Sequence, residues 1–306
     1  MNYRRLGRSG LEVSTLTLGT MMFGDRTDEA TAREIVAHAR DAGVNFIDTA
    51  DAYAAGASER ITGQAIRAER DRWVLATKVG NRIAEGERNN GGLSRSWVLR
   101  ACDGSLGRLG TDHIDIYYLH RDDPRTPLDE TIGAIGDLIR AGKVRYFGVS
   151  NYRGWRIAEL VNECEAQGVP PPVVCQPYYN LLNRVPEVEV LPACDHYGIG
   201  VAPYSPIARG VLTGKYMPGA PVPEGSRAAS GDKRGRGVAV HESFNTYVAQ
   251  VAEVTVRSDG SVKVDRSVCA VDCGIVVNPD NVRSQVEGSV GFALSAALHG
   301  AITLKD

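Results

Sequence analysis

The sequence predicts an α/β fold of the (β/α)8 TIM-barrel type, truncated to about seven strands and followed by an α+β appendage. Three observations predict it. Between Thr15 and Ile207, short apolar β-rich runs alternate with longer segments of helical period, the pattern of repeated strand–helix units on a parallel sheet. Most of those runs end in or just past a reactive or amide side chain, which in a parallel barrel places them on one rim. After about residue 234 the pattern changes to paired alternating strands and a helix.

The elements follow in order. YRRLGRSGLEVS carries a Gly between two strand-like pieces and predicts a hairpin ahead of the barrel. Seven apolar runs come next: TLTLGT (15–20), NFIDTA (45–50), WVLATK (73–78), HIDIYYLH (113–120), VRYFGVSN (144–151), VVCQPYYN (173–180) and IGVAPYS (199–205). Between them, DEATAREIVAHARDAG (28–43) reads as a helix with Ile35, Val36, Ala39 and Ala42 on one face, Asp28 as N-cap and Gly43 as stop. SRSWVLRACDGSLGRLG, LDETIGAIGDLIRAGK and GWRIAELVNECEAQG read as further helices.

The polar strand ends are Asp48, Lys78, His120, Ser150 with Asn151, Gln176, and Tyr204 with Ser205. Singly, such residues are usually structural: a His at a strand end, a solvated Lys, an amide capping a turn. Converging on one mouth, they can do chemistry. Tyr53 lies five residues past Asp48, in a loop able to lean over the rim. Its phenol, with an ordinary pKa of about 10, needs a neighbouring cation to become a useful acid, and Lys78 is that cation. Asp48 supplies the counter-charge that Lys78 needs in a dehydrated mouth. His120 can hold or polarise a carbonyl oxygen. No Ser-His-Asp pattern or placed thiol offers a nucleophile, so hydride would come from a cofactor.

NFIDTADAY, ATK, YYLH, GVSN, QPYYN and PYSP, in this order, resemble the aldo-keto reductases over about residues 3–233. The resemblance implies a (β/α)8 barrel that passes hydride from NAD(P)H to an aldehyde or ketone. Tyr53 would be the proton donor, Lys78 and Asp48 would tune it, and His120 would orient the carbonyl. It also implies that Ser150, Asn151 and Gln176 bind the nicotinamide carboxamide, that Tyr204 stacks on the ring, and that Gly19 and Thr20 line the floor. The loop SPIARGVLTGKY (205–216) would cover the pyrophosphate, with Ser205 and Leu212 as contacts. NADP(H) is expected ahead of NAD(H), with a small carbonyl compound as substrate and no metal.

The resemblance ends near Lys233, so the last helix, the eighth strand and its helix are expected to be absent, leaving open strand edges. Residues 1–234 and 235–306 are expected as two domains. In the second, 246–257 and 261–272 predict an antiparallel hairpin around Ser258, Asp259 and Gly260. Asn278 and Pro279 start a helix with apolar Val282, Val286, Phe292 and Leu294. This tail resembles a fragment of the large subunit of molybdenum hydroxylases of the isoquinoline and aldehyde oxidoreductase group, which would bring Gln285 to a pterin. The alternatives to an active reductase are an inactive barrel remnant or chimera, and an assembly module pairing through the tail hairpin.

Composition fits these expectations. The 306 residues are 43% hydrophobic and 24% charged with net charge −2, enough for a large core and without the basic footprint of a nucleic-acid binder. The basic run Lys233, Arg234, Arg236 reads as a solvated linker. The start lacks the apolar core of a secretion signal and no run of about 18 apolar residues follows, so a cytoplasmic protein without membrane attachment is expected. Six scattered cysteines predict free thiols.

Overall fold

The computed structural model describes residues 1–82, 89–216, 221, 223–224, 233–243, 246–257, 261–273 and 278–299. The chain divides into two compact units, Met1–Arg209 and Gly210–Asp306.

In the first unit β1 (Tyr3–Arg5) and β2 (Glu12–Ser14) form the expected antiparallel hairpin. Seven strands then pair in parallel and in chain order: β3 (Thr17–Gly19), β4 (Phe46–Asp48), β5 (Val74–Val79), β6 (Ile114–Leu119), β7 (Val144–Ser150), β8 (Val174–Gln176) and β9 (Gly200–Val201). The result is a curled sheet of TIM-barrel type in which β3 and β9 are the edge strands.

Helices α1 (Glu29–Asp41), α2 (Ala57–Ile66), α3 (Arg95–Leu109), α4 (Leu128–Arg140), α5 (Gly154–Gln167) and α6 (Val190–Tyr197) fill the crossovers. Local chemistry sets their ends. The Asp28 carboxylate accepts the Thr31 amide at 2.8 Å to start α1, and Gly110, at φ 66, takes the left-handed turn that ends α3. Gly63 of α2 touches α3 so closely that a Cβ there would lie 2.0 Å from the Leu109 carbonyl oxygen.

The strand period of two sorts side chains into two cores. Ile47, Leu75, Tyr117, Leu119, Phe147, Val149 and Cys175 face outward and pack with helix residues such as Val36, Val98, Ile135 and Ile157. Phe46, Val74, Ala76, Ile116, Tyr118 and Val174 face inward and pack with Leu6 and Val13 of the hairpin. Asp48, Lys78, His120, Ser150 and Gln176 have the inward parity and stand at or just past the C-terminal strand ends. The sequence therefore delivers them to one end of the inner face.

In the second unit the seam is a strand. β10 (Lys233–Ser243) pairs antiparallel with β11 (Thr246–Val256), which pairs antiparallel with β12 (Val262–Asp272). The expected hairpin is present with one more strand on its edge, and the run expected as a linker supplies the first residues of β10. Turn residues Ser258, Asp259 and Gly260 lie outside the described residues. Helix α7 (Pro279–His299) starts where Asn278 Oδ1 accepts the amides of Asp280 and Asn281 at 3.1 and 3.2 Å. Val282, Val286, Val290 and Leu294, spaced by four, line a groove with Ser267, Cys269 and Val271 of β12. Phe292, expected on that apolar face, is 80% exposed instead, because its position does not share the period of four. All six cysteines are free, and Gln285 is exposed. No described helix is long and apolar enough to cross a membrane.

Candidate active site

Asp48 and Lys78 end neighbouring strands on the inner face. Lys78 Nζ donates to Asp48 Oδ2 at 2.5 Å and to the Thr49 carbonyl at 2.6 Å, and the lysine is 0% exposed. Gln176 Nε2 donates to the other Asp48 oxygen at 3.2 Å. A buried pair of charges is tolerable only when satisfied in this way. Burial works against the ammonium, but Asp48 and then Tyr53 outweigh it and hold the Lys78 pKa above its ordinary value.

Tyr53 opens a short 3-10 turn (Tyr53–Gly56) in which Ala54 and Ala55 take left-handed backbone angles, φ 47 and 51. Such angles are rare for residues with a Cβ and mark a loop held in place by its surroundings. The Tyr53 ring centre lies 4.8 Å from Lys78 Nζ, and the His120 ring meets it edge to face at 5.9 Å. A tyrosine acidified by Lys78 was the sequence expectation. Instead burial raises the Tyr53 pKa, and the opposing pull of Lys78 does not overcome it. The phenol stays protonated across the neutral range.

His120 is half-buried with Lys78 and Arg121 nearby, and these lower its pKa to about 3, loss of water around the ring being the largest cause. The imidazole is neutral. Its Nδ1 receives the Asn81 side-chain amide, Nδ2 to Nδ1 2.9 Å, and its backbone carbonyl accepts Asn151 Nδ2 at 3.0 Å.

The remaining predicted residues join this set. Ser150 Oγ donates to the Gln176 carbonyl at 2.8 Å and receives Asn151 Nδ2 at 3.0 Å. Tyr204 Oη donates to Asn151 Oδ1 at 2.9 Å, while its ring stacks on Tyr178 at 5.3 Å and stays 37% exposed. Asn151 and Ser205 hold left-handed angles, φ 59 and 53. Gly19 pairs with Asp48 in register, and a Cβ built on it would meet nothing within 4 Å, so the sheet end is open there. Thr20 is fully buried, its hydroxyl donating to the Asp48 carbonyl at 3.1 Å and lying 2.9 Å from Ser58 Oγ. Ser205 offers its carbonyl to Asn180 Nδ2 at 3.0 Å. Leu212 belongs to the second unit.

Two features escaped the sequence reading. Asn81 is an amide just past a strand end, the same signal used for Asn151, but it sits three residues beyond Lys78. Asp51 lies between Asp48 and Tyr53, 1% exposed, with neither carboxylate oxygen partnered among the described residues. Burial, and then Glu59, push its pKa up to about 7. Nearby, Glu59 pairs with Arg108 at 2.6 Å and accepts Thr77 Oγ1 at 2.6 Å.

Residues 15–262 match the family model described as the Aldo/keto reductase family. The match runs past Lys233, where the sequence reading ended the resemblance, and takes in β10 and β11. That reading followed strand-end motifs, the last of which is PYSP. Among relatives, the chain is 44% identical over 227 residues to a Bacillus subtilis (strain 168) protein named "Uncharacterized oxidoreductase YrpG", covering 71% of this chain and 70% of that one. It is 41% identical over 234 residues to an Arabidopsis thaliana "Probable voltage-gated potassium channel subunit beta", covering 75% and 70%. It is 36% identical over 249 residues to the Escherichia coli O157:H7 "L-glyceraldehyde 3-phosphate reductase", covering 78% and 70%.

Proposed function

The chain belongs to the aldo/keto reductase family of oxidoreductases, and from that premise we propose that it reduces an aldehyde or ketone with NAD(P)H, Tyr53 giving the proton. One observation carries the reading: phenol, ammonium, carboxylate and imidazole gather at the C-terminal end of one parallel sheet.

The residues present fit a nicotinamide. Ser150, Asn151 and Gln176 form a cluster of amide and hydroxyl groups, Tyr204 offers an aromatic face, and the sheet end beside Gly19 is open. A bound reduced nicotinamide supplies hydride to the carbonyl carbon. The protein's own groups handle the oxygen. His120, neutral, donates a hydrogen bond that orients the carbonyl, and Tyr53 transfers its proton as negative charge builds on the oxygen. Lys78 then stabilises the phenolate left behind, and Asp48 keeps that ammonium in place. We assign Ser205 to the cofactor's phosphate side, Thr20 to the floor, and NADP(H) ahead of NAD(H).

Titration of NADPH fluorescence, followed by NADPH consumption across a panel of short aldehydes and ketones, tests this. Saturable binding with turnover is expected, and absence of any binding at high concentration refutes the reading. The family match covers the tail up to residue 262, which supports assigning that part to the reductase rather than to a molybdenum hydroxylase fragment.

A second reading concerns the second unit alone. Val238 and Val240 of β10 are 69% and 72% exposed, and such a patch on a strand suits pairing with another copy of the chain. Sedimentation analysis tests it: a dimer that Val240→Lys converts to monomer supports assembly through β10, and a monomeric parent sinks it.

A further inference from the structure

We propose that Asn81 is a positioning residue that fixes the tautomer of His120, so that Nε2 carries the proton offered to the substrate oxygen. The inference rests on the carbonyl-reductase reading above. An amide nitrogen can only donate, and Asn81 Nδ2 lies 2.9 Å from His120 Nδ1, so Nδ1 must accept. A neutral imidazole has one N–H, which is then left to Nε2.

The ladder brings the two residues together. His120 N donates to the Val79 carbonyl at 2.8 Å, which locks the end of β6 to the end of β5, and Asn81 stands two residues past Val79. The opposite amide orientation is worse. Asn81 Oδ1 is buried without a partner among the described residues, and turning the amide would put an NH2 group there with two buried, unmet protons. Buried carbonyls lacking a partner are tolerated more often than buried N–H groups. The other tautomer would also aim a bare nitrogen lone pair at an electron-rich carbonyl oxygen. The charged groups acting on the ring are Lys78 and Arg121, and both disfavour a second proton on it.

The test is nitrogen-15 NMR of histidine-labelled protein, with the His120 signals assigned by their loss in His120→Gln. The parent is expected to show the Nε2–H form. Asn81→Asp replaces the donor by a carboxylate that can only accept, so Nδ1 should become protonated, and the His120 signals should gain a titration between about pH 5 and 8 that they lack in the parent. Asn81→Ala should lower kcat about tenfold with NADPH affinity within about twofold. An Nδ1–H form in the parent overturns the proposal, as does an Asn81→Asp enzyme with the parent's spectrum and pH profile. The spectra do not depend on turnover. Absence of NADPH binding and turnover in the parent would defeat the reductase reading while leaving the spectral result standing, so the two failures are distinguishable.

Discussion

Replacing Asp48 by Asn removes the charge facing Lys78 while keeping the shape of the side chain. Two unit charges about 4 Å apart attract by about 4 kcal/mol at an effective dielectric near 20, and the observed separation is shorter, 2.5 Å. Removing one partner of a buried pair costs about 3–5 kcal/mol, because the surviving charge is left uncompensated. Lys78 has no exposure through which water can replace the carboxylate, and the neutral Thr49 carbonyl and Tyr53 hydroxyl that stay beside it carry no compensating charge. For a unit of the size Met1–Arg209, each kcal/mol moves the midpoint by about 2–4 °C, so a drop of about 6–20 °C is expected in thermal unfolding followed by circular dichroism at pH 7.

The pH dependence fixes the sign. Lys78 has a raised pKa in the folded protein, burial opposing and Asp48 with Tyr53 prevailing. Its contribution is therefore fully present below the ordinary lysine range and is lost as pH rises through the raised value. The gap between parent and Asp48→Asn should be widest at neutral pH and narrow above about pH 10. A loss under about 2 °C at pH 7, or a gap that widens with pH, would refute the account of this pair.

Three further outcomes are expected. Tyr53→Phe should cut turnover by at least about 10²-fold in steady-state assays, with NADPH binding measured by fluorescence nearly unchanged, because only the proton transfer is removed. Asp51 has a raised folded pKa, about 7, from burial first and Glu59 second, so the native state loses stability as pH climbs from about 4 to about 7. Asp51→Asn should therefore be more stable than the parent by about 1–3 kcal/mol at pH 8 in urea unfolding, with no advantage at pH 4.5. Gly63→Ala forces a Cβ to 2.0 Å from the Leu109 carbonyl oxygen and should cost about 1–3 kcal/mol in the same assay, whereas a neutral result would mean that α2 and α3 separate freely.

How much the sequence revealed follows from which forces it displays. Strand runs and their polar ends are local patterns, so the seven parallel strands and the gathering of Asp48, Lys78, His120, Ser150 and Gln176 could be read directly. The direction of the Tyr53 shift could not, because it depends on how much water the fold removes, and that sum outweighs the Lys78 charge. β10 was hidden by Gly235 and Gly237 and by a basic start, which depress the strand signal that pairing with β11 restores. Asp51 carries no local pattern that sets it apart, and only the packing around it shows a buried carboxyl without a hydrogen-bond partner among the described residues.

The inward parity shared by the catalytic candidates and the inner core ties function to chain length in an uneven way. Deleting one residue inside β6 would turn His120 toward the helices and push Tyr117 to the inside, losing the reaction and the packing together. Adding several residues in a loop beyond the stretches that carry Tyr53 and Asn81 would do neither. A lineage starting from this framework can rebuild its substrate pocket loop by loop, while each strand is held to its present count of residues.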